Sequence, residues 1–494
     1  VGEHLGGHQE PDLPPGSRCD NTGQAGAVQH AHMVEHQDHG TPGRDPVDPL
    51  NPDPEEAPDH RHHDGNGHPP PAIELGSVHA RMVTGSPFSA NQCWTLRCVR
   101  CPAPYTSRVD MGVLQQLAAD RYEGFVAELR EMVDIDSGSF SPAGVIAVAD
   151  RCESWFRDGG WALERRPHAP EPGEPQLGDL LIGRLAGAGG PSILLVGHMD
   201  TVFDDGTVAE RPFRIEGDRA RGPGVSDMKG GLLTGFAAVE ILQAAGFDGF
   251  SSITYICNPD EEIGSFFSGP IIREMAPSFD AAYVLEGARA NGDVVSARKG
   301  ITDYTVTVHG RAAHAGVEPE KGANALLQAA HTIIALQELN GRWPGVTVNV
   351  GVAHGGTRTN VVPAACELQV DLRAPELSTL EAAEAEITRL CGETEVPGVS
   401  ITLEASGWHR PMEKKAPAQR LVDIARRTAA DLGFELQDAA TGGASDANTT
   451  SAAGTPTIDG LGPVGGDDHA PAEWLDLTSV VPRIALLAGI IART

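Results

Sequence analysis

The stretch that organises this chain is Ile193-Leu194-Leu195-Val196-Gly197-His198-Met199-Asp200. Its first four residues are apolar and two of them are β-branched, which predicts a buried strand of a parallel sheet. A His-x-Asp motif follows at the point where the strand ends. A histidine in this position is suited to bind a metal ion, and an aspartate two residues later can accept a hydrogen bond from the other ring nitrogen. Taken alone, the motif fits an ordinary polar loop equally well.

The length and charge of the chain restrict what it can bind. Its 494 residues are too many for one hydrophobic core and predict two or three domains. The formal net charge of −31 argues against nucleic acids and anionic membranes as partners, because both attract clustered Lys and Arg. The sequence has neither a bilayer-spanning apolar run nor a basic-then-apolar secretion signal. Eight cysteines, mostly far apart, favour reduced thiols, and we therefore expect a cytoplasmic location.

Residues 1–110 differ in composition from the rest of the chain. They are rich in Gly, Pro, His and Asp, and show no sustained helical or strand period. Such a segment cannot bury enough apolar surface to offset its ordering entropy, so we predict disorder. The chain begins with Val1, and Met111 opens the first convincing helix, so we expect this segment to come from a misplaced translation start. The intact mass of the natively expressed protein tests this, and a mature chain beginning near Val1 would contradict it.

Two metal-binding patterns lie inside this segment. The first is its histidine-rich composition, and the second is the spacing of Cys93, Cys98 and Cys101, which is seen in iron–sulfur proteins. Both patterns need a folded context, and no fourth cysteine follows at a suitable distance. We therefore do not expect a functional metal site here.

From Met111 onward the sequence has a globular pattern. Apolar residues recur at helical spacing after Met111, and residues 228–245 form a second helical pattern that is rich in Gly and Ala. Short apolar strands alternate with helices over residues 179–285. This alternation predicts an α/β layer with a mostly parallel sheet, whose sites lie at the carboxyl ends of the strands.

Residues 299–408 have a different organisation. The order β-α-β-β-α-β predicts a ferredoxin-like α+β unit, inserted between two parts of the larger domain at residues 111–298 and 409–494. We expect its second helix to open with a capping box made by Ser378 and Glu381. Its first helix, residues 324–339, carries an apolar stripe that consists of Leu326, Leu327, Ala330, Ile333 and Ile334.

Acids and histidines follow several of the predicted strands and glycine-rich turns. These residues are His198, Asp200, Asp227, Glu261, Glu262 and Glu286, and a glycine-rich loop near the C-terminus adds His469. One such strand ending is ordinary, but several together fit a site for two divalent ions that share a bridging carboxylate. Histidine with carboxylate is a ligand set typical of zinc, although manganese or cobalt also fits.

The sequence from Met111 to Thr494 resembles the zinc-dependent peptidase and amidohydrolase family. This family includes glutamate carboxypeptidase, acetylornithine deacetylase, succinyl-diaminopimelate desuccinylase and aminoacylase, and the bacterial glutamate carboxypeptidases look most similar. The resemblance is carried by residues 198–200, 224–231, 260–265, 310–316, 360–363, 442–447 and 469. The motifs occur in the family's order over the whole globular part of the chain.

The resemblance implies a dizinc site with two Zn²⁺ per subunit. One zinc would be held by His198 and Glu286 and the other by Glu262 and His469, and Asp227 would bridge both. Asp200 would orient the imidazole of His198. Glu261 would act as the general base. The family also commonly has a cis peptide bond at the position that corresponds to Asp227–Met228.

The resemblance further assigns substrate binding and dimer formation to the inserted domain. It implies that Asn360 and Arg373 hold the free carboxylate of the substrate, with Arg358 as a further clamp candidate. Gly443 and its neighbour Gly442 would let the backbone approach the substrate. His314 would reach the active site of a partner subunit. Arginine suits the clamp because its planar fork binds a carboxylate through two parallel hydrogen bonds.

These observations predict a dizinc hydrolase that cleaves an amide bond beside a free carboxylate in a small peptide or N-acyl amino acid. The favoured activity is release of a C-terminal amino acid, as in glutamate carboxypeptidase. One alternative is an N-acyl amino acid deacylase that uses the same site. A second alternative is a non-catalytic binding protein with a decayed site, which the presence of every expected ligand and of the base disfavours.

Overall fold

The computed structural model describes residues 109–494. The segment for which we predict disorder, apart from its last two residues, lies outside this range, and so do the histidine-rich tract and the three cysteines of the iron–sulfur spacing. Within the described range, none of the helices is both long and apolar enough to cross a lipid bilayer.

The described residues form α-helices and β-strands along the whole range. The helices are α1 (Met111–Val133), α2 (Pro142–Asp158), α3 (Thr207–Glu210), α4 (Gly230–Ala244), α5 (Ser268–Met275), α6 (Ala325–Gln337), α7 (Leu377–Cys391), α8 (Ala416–Asp431), α9 (Asp446–Ala452) and α10 (Val480–Ile491). The strands are β1 (Ala162–Arg166), β2 (Leu180–Ala186), β3 (Ser192–His198), β4 (Arg214–Glu216), β5 (Arg219–Arg221), β6 (Ser252–Asn258), β7 (Ala281–Val284), β8 (Val294–Arg298), β9 (Gly300–His309), β10 (Thr347–Gly355), β11 (Ala365–Ala374), β12 (Ser400–His409), β13 (Asp438–Thr441), β14 (Thr457–Ile458), β15 (Gly465–Gly466) and β16 (Trp474–Asp476).

The central sheet has six strands in the order β1-β2-β6-β3-β7-β14. Strands β6, β3, β7 and β14 are parallel to one another, whereas β2 is antiparallel to both β6 and β1. Strand β3 therefore lies inside the sheet with a parallel partner on each side, as residues 193–196 predict. Helix α1 begins at Met111, which is also as predicted.

Strand β3 is buried on both faces. Ile193 and Leu195 pack into the larger hydrophobic cluster with α1, α4 and α10, whereas Leu194 and Val196 pack into the cluster on the other face with α5 and α9. Each of these side chains is fully buried, which stabilises the fold by about 1.5–3 kcal/mol per residue. The four apolar residues thus fix the position of the polar residues that follow them.

The strands and helices from β9 to β12 form a second layer with its own core. The chain order is β9-α6-β10-β11-α7-β12, and the four strands form an antiparallel sheet in the order β10-β11-β9-β12. Their inward residues, such as Val306 and Leu368, form a hydrophobic cluster that is separate from those of the central sheet. The ferredoxin-like prediction is confirmed.

The apolar stripe of α6 faces solvent. Leu326, Leu327 and Ile334 are 44%, 50% and 60% exposed. The buried face of the helix instead includes Gln328 and Thr332. Gln328 can be buried because its Oε1 accepts hydrogen bonds from two backbone N–H groups, and the Thr332 hydroxyl donates to a backbone carbonyl. The sequence pattern identified the stripe correctly, but it does not indicate which face of the helix packs on the core.

The predicted capping box of α7 was wrong. The helix starts at Leu377 after Glu376, whose side chain makes no capping hydrogen bond, and Ser378 lies inside the first turn. The corresponding position of α6 does have a cap, because the Asn324 side chain accepts a hydrogen bond from the Leu327 N–H at 2.9 Å. The N-cap position is occupied by Glu376, two residues before Ser378, so Ser378 cannot act as the cap.

This difference gives a prediction for two matched substitutions. Asn324→Ala should lower the free energy of unfolding by about 1 kcal/mol, because it removes an N-cap. Ser378→Ala should change that free energy by less than about 0.5 kcal/mol. Urea denaturation measures both, and an equal loss for the two variants would contradict this assignment of the caps.

Candidate active site

Three adjacent parallel strands deliver polar side chains to one edge of the central sheet. His198 is the last residue of β3, Glu261 follows β6, and Glu286 follows β7. Because the carboxyl ends of parallel neighbours lie at the same edge, these residues meet although the sequence separates them widely. The loop before α4 brings Asp227 to the same place.

Asp227 lies between the two histidines. Its Oδ1 is 3.1 Å from Nε2 of His198, and its Oδ2 is 3.2 Å from Nε2 of His469. His469 Nε2 also lies 3.1 Å from Oε2 of Glu262, and His198 Nε2 lies 3.9 Å from Oε1 of Glu286. The five residues predicted as metal ligands therefore converge, and each oxygen of the central carboxylate faces a different histidine. The peptide bond between Asp227 and Met228 is cis, as the resemblance implies.

These side chains fit divalent metal ions. In a tetrahedral zinc site the ligand atoms lie roughly 3.3 Å from one another, since each is about 2.0–2.1 Å from the metal. The contacts at Asp227 are close to this spacing. Two groups of side chains bring their ligand atoms within 4.8 Å of one another, namely His198 with Asp227 and Glu262, and His198 with Glu261 and Glu286. The carboxylates outnumber the imidazoles, and divalent cations would compensate the excess negative charge.

Asp200 supports this cluster from behind. It is fully buried, and its Oδ1 lies 3.4 Å from Nδ1 of His198. Its carboxylate also accepts hydrogen bonds from the hydroxyl of Ser139 at 2.6 Å and from the backbone N–H groups of Glu261 and Glu262 at 3.1 and 3.2 Å. Nδ1 of His198 lies closer to the backbone carbonyl of Asp200, at 3.0 Å, than to its carboxylate, and the support of the glutamate turn was not anticipated. Asp200 thus contacts two parts of the site.

The titration of the cluster follows from burial and charge. Burial raises the pKa of Glu261, Glu262 and Glu286, because a buried carboxylate loses its hydration and here faces other acids. Hydrogen bonds to Asp227 and Glu262 raise the pKa of His469 to about 10. Protons therefore compete with cations for these groups, and metal affinity should fall as the pH falls.

Glu473 is a supporting residue that the sequence did not reveal. It is 1% exposed, and its two carboxylate oxygens accept hydrogen bonds from the backbone N–H groups of Gly224, Ser226 and Asp227 at 2.8, 2.8 and 3.1 Å. Burial raises its pKa to about 7. Since Glu473 lies four residues after His469, it ties the loop of one predicted ligand to the loop of another. Its partners are backbone groups almost 250 residues away, so no local pattern could indicate the role.

Asp446 is a second buried acid behind the site. It is the first residue of α9, and its carboxylate accepts hydrogen bonds from the Ser265 hydroxyl at 2.8 Å and from the side-chain amide of Asn258. Burial raises its pKa to about 7. The residue lies in the 442–447 motif, but no specific role was predicted for it from the sequence. It fixes the loop after Glu261 to the C-terminal part of the chain.

A cleft of about 800 Å³ opens beside the cluster. The residues that line it include Glu261, Glu262, His469, Arg373 and Gly443. Arg373 extends from β11 and donates from Nη1 to the carbonyl of Gly442 at 2.9 Å. The structure therefore brings two of the predicted substrate-binding residues, Arg373 and Gly443, to the predicted metal ligands.

The other predicted residues of the inserted domain lie elsewhere. His314, Arg358 and Asn360 are exposed, and none of them is among the described residues that line this cleft. The loops of His314 and Asn360 are joined, because the N–H of Ala315 donates to the carbonyl of Asn360 at 3.0 Å. Within one chain, these residues form a separate group.

Comparisons with known proteins identify the family of this chain. The sequence model that describes Peptidase family M20/M25/M40 matches residues 194–493. The chain belongs to this family. Members of the M20 family are metal-dependent hydrolases of amide bonds, and the present chain is therefore a metal-dependent enzyme of this class.

Individual M20 relatives differ in activity. The chain is 30% identical to carboxypeptidase G2 of Pseudomonas sp. strain RS-16 over 385 residues, which cover 77% of this chain and 91% of the relative. It is 31% identical to the acetylornithine deacetylase of Salmonella arizonae over 236 residues, which cover 44% and 58% of the two chains. The crystal structure of aminopeptidase PepT from Bacillus cereus superposes with a TM-score of 0.64 at 25% identity and covers 75% of this chain and 98% of that one.

Substitution of Glu473 tests its supporting role. Glu473→Gln keeps the shape of the side chain but turns one acceptor oxygen into a donor that faces a backbone N–H. We expect zinc affinity to fall about 10- to 100-fold, as for other residues that orient metal ligands. Competition with a fluorescent zinc chelator measures the affinity. The exposed Glu435→Gln serves as control, and an unchanged affinity of the Glu473 variant would contradict the role.

Proposed function

We propose that this protein is a dizinc metallopeptidase of the carboxypeptidase type, which releases the C-terminal amino acid of small peptides. The observation that carries the proposal is the position of Asp227 between two histidines, beside Glu261 and at the edge of a cleft that contains Arg373. The similarity to carboxypeptidase G2 over most of both chains supports the same activity.

The proposed metal ligands are those that converge in the structure. His198 and Glu286 would hold one zinc, Glu262 and His469 the other, and Asp227 would contact both. When bound, two zinc ions lower the pKa of water towards neutrality and polarise a carbonyl group. Cobalt or manganese could occupy the same ligands.

Glu261 is the proposed general base. It lies in the same group of close ligand atoms as His198 and Glu286, so it faces the place where a water molecule attacks. Burial raises the pKa of its carboxyl, which makes it a better proton acceptor than an exposed glutamate. It takes a proton from the attacking water and later gives it to the leaving nitrogen.

Arg373 is the proposed carboxylate clamp. Its Nε and Nη2 contact Asp371 at 3.0 Å, and its Nη1 donates to the carbonyl of Gly442. These contacts use three of the five guanidinium N–H groups, so one N–H remains on each Nη. This pair can bind the two oxygens of a substrate carboxylate. In a chain with a net charge of −31, such a local cation is needed to hold an anionic substrate.

A deacylase of N-acyl amino acids is the competing function, because acetylornithine deacetylases match part of the chain. Hydrolysis of N-acetylornithine or N-succinyl substrates in strong preference to dipeptides would favour it. A non-catalytic binding protein with a decayed site is disfavoured, because every proposed ligand and the base converge.

The proposed location is cytoplasmic. The described cysteines are free and buried, which is compatible with this location; they are Cys152, Cys257, Cys366 and Cys391.

Substitution of Glu261 tests the proposed reaction. Glu261→Gln should retain both metal ions but lose turnover by several orders of magnitude, because the amide cannot accept the proton. Metal analysis and release of free amino acid from dipeptides measure the two effects. Glu262→Gln is the matched comparison and should lose metal. A chelator should abolish the wild-type activity, and zinc or cobalt should restore it. A near-normal rate for Glu261→Gln would contradict the role of base.

We also propose a homodimer formed through the inserted domain, for which we propose the boundaries 299–408. The apolar stripe of α6 is exposed, and such patches on isolated chains mark interaction surfaces. Strand β10 lies at the edge of its sheet, where its backbone can pair with another strand. His314 and Asn360 do not line the cleft of their own chain. In a dimer they would instead reach the cleft of the partner subunit, where His314 would stabilise the oxyanion.

Mixed dimers test this arrangement. His314→Ala and Glu261→Gln should each have little activity as pure dimers. After co-expression, half of the dimers would be mixed and one of their two sites would have both residues, so the activity should recover to about a quarter of wild type. Ile334→Glu in the α6 stripe should produce monomers in analytical ultracentrifugation and abolish the recovery. No recovery in dimers that do mix would contradict sharing of His314.

A further inference from the structure

A second cavity adjoins the proposed metal site, and Arg373 is not among the described residues that line it. It has a volume of about 490 Å³, within the range of small-molecule sites. Its walls are formed by residues 138–141 and 201–205, and it shares Glu262 and Ile263 with the cleft that contains Arg373. The two cavities thus meet at a proposed metal ligand. None of the roles described above uses this second cavity.

Among the described residues, four apolar side chains line the second cavity, beside hydroxyl groups and carboxylates. Phe140 is 65% exposed and Val202 is 41% exposed, and both line the cavity together with Phe203 and Ile263. A phenylalanine with this much exposed surface gains free energy when a ligand covers it. The apolar surface is therefore available to a bound molecule.

The two walls are held in place independently of any ligand. The N–H of Thr201 donates to the carbonyl of Ser137 at 2.9 Å, and the N–H of Ser139 donates to the carbonyl of Thr201 at 3.2 Å. The carboxylate of Asp136 accepts hydrogen bonds from two backbone N–H groups just after the second wall, those of Gly206 and Val208, at 2.8 Å each. A cavity that exists before binding loses little entropy when it is occupied.

The orientation of the substrate follows from the proposed function, on which this step rests. Arg373 binds the carboxylate of the released amino acid, and the scissile amide lies at the proposed metal ligands, which include Glu262. The part of the substrate on the carbonyl side of that amide must then leave the cluster in another direction. The second cavity begins at Glu262 and provides that direction.

We propose that this cavity binds the side chain on the N-terminal side of the scissile bond and selects a large apolar one, with Phe140 as a principal contact. The carboxylates of Asp204 and Asp205 also line the cavity. They repel an anionic acyl chain such as succinyl and are compatible with the free ammonium group of a dipeptide. An acetyl group is too small to cover Phe140. The cavity therefore favours dipeptides over the acyl substrates of the deacylases.

A series of substrates with one C-terminal residue tests the selection. We would compare kcat/KM for Phe-Glu, Leu-Glu, Gly-Glu, N-acetyl-Glu and N-succinyl-Glu. Phe-Glu and Leu-Glu should exceed Gly-Glu by about tenfold or more, and N-succinyl-Glu should be the poorest, because burial of an apolar side chain gives discrimination of this order. In Phe140→Ala, the ratio of kcat/KM for Phe-Glu over Gly-Glu should fall about tenfold, with Phe140→Leu between the two. Ile215→Ala, an exposed apolar residue on β4 outside both cavities, should keep the wild-type ratio.

The possible outcomes separate this inference from the proposed function. If the enzyme cleaves the dipeptides but Phe140→Ala leaves the ratio unchanged, the role of the cavity is wrong and the carboxypeptidase proposal stands. A wild-type preference for Gly-Glu or N-succinyl-Glu over Phe-Glu also overturns the inference. If none of the five compounds is cleaved, both the inference and the proposed function fail.

Discussion

The structure of this site depends on one carboxylate that lies between two imidazoles. Asp227 faces His198 with one carboxylate oxygen and His469 with the other. Asp227 and His469 are 242 positions apart in the sequence. Such a buried, negatively charged cluster is unfavourable unless hydrogen bonds and cations compensate its charges. Asp200 and Glu473 provide hydrogen bonds that hold the loops in place, and the metal-dependent character of the family accounts for the remaining charge.

The supporting acids accept hydrogen bonds mainly from the backbone. Glu473 receives three N–H groups from the loop of Asp227, and Asp200 receives two from the turn of Glu261 and Glu262. Backbone groups are available at every position, so they fix the shape of a loop without requiring particular side chains there. The side chains of the loops are then left to contact metal and substrate.

The inserted layer illustrates a different balance. On α6, Gln328 and Thr332 are buried together with Leu336, whereas Leu326, Leu327 and Ile334 face outward. Burial of Gln328 costs little because its amide oxygen receives two hydrogen bonds. The exposed apolar surface of the helix is available for the proposed dimer contact.

The sequence by itself determined the strand 193–196, the ferredoxin-like order of the inserted block and the residues that converge as metal-ligand candidates. These features follow from local periodicity and from the rule that parallel strands end at a common edge, aided by the resemblance to a known family. Only the tertiary structure decided which face of α6 is buried, which loops Glu473 connects, and that Phe140 and Val202 line a cavity next to Glu262. Each of these depends on contacts between residues far apart in the chain or on hydrogen bonds to the backbone, and neither leaves a periodic signal in the sequence.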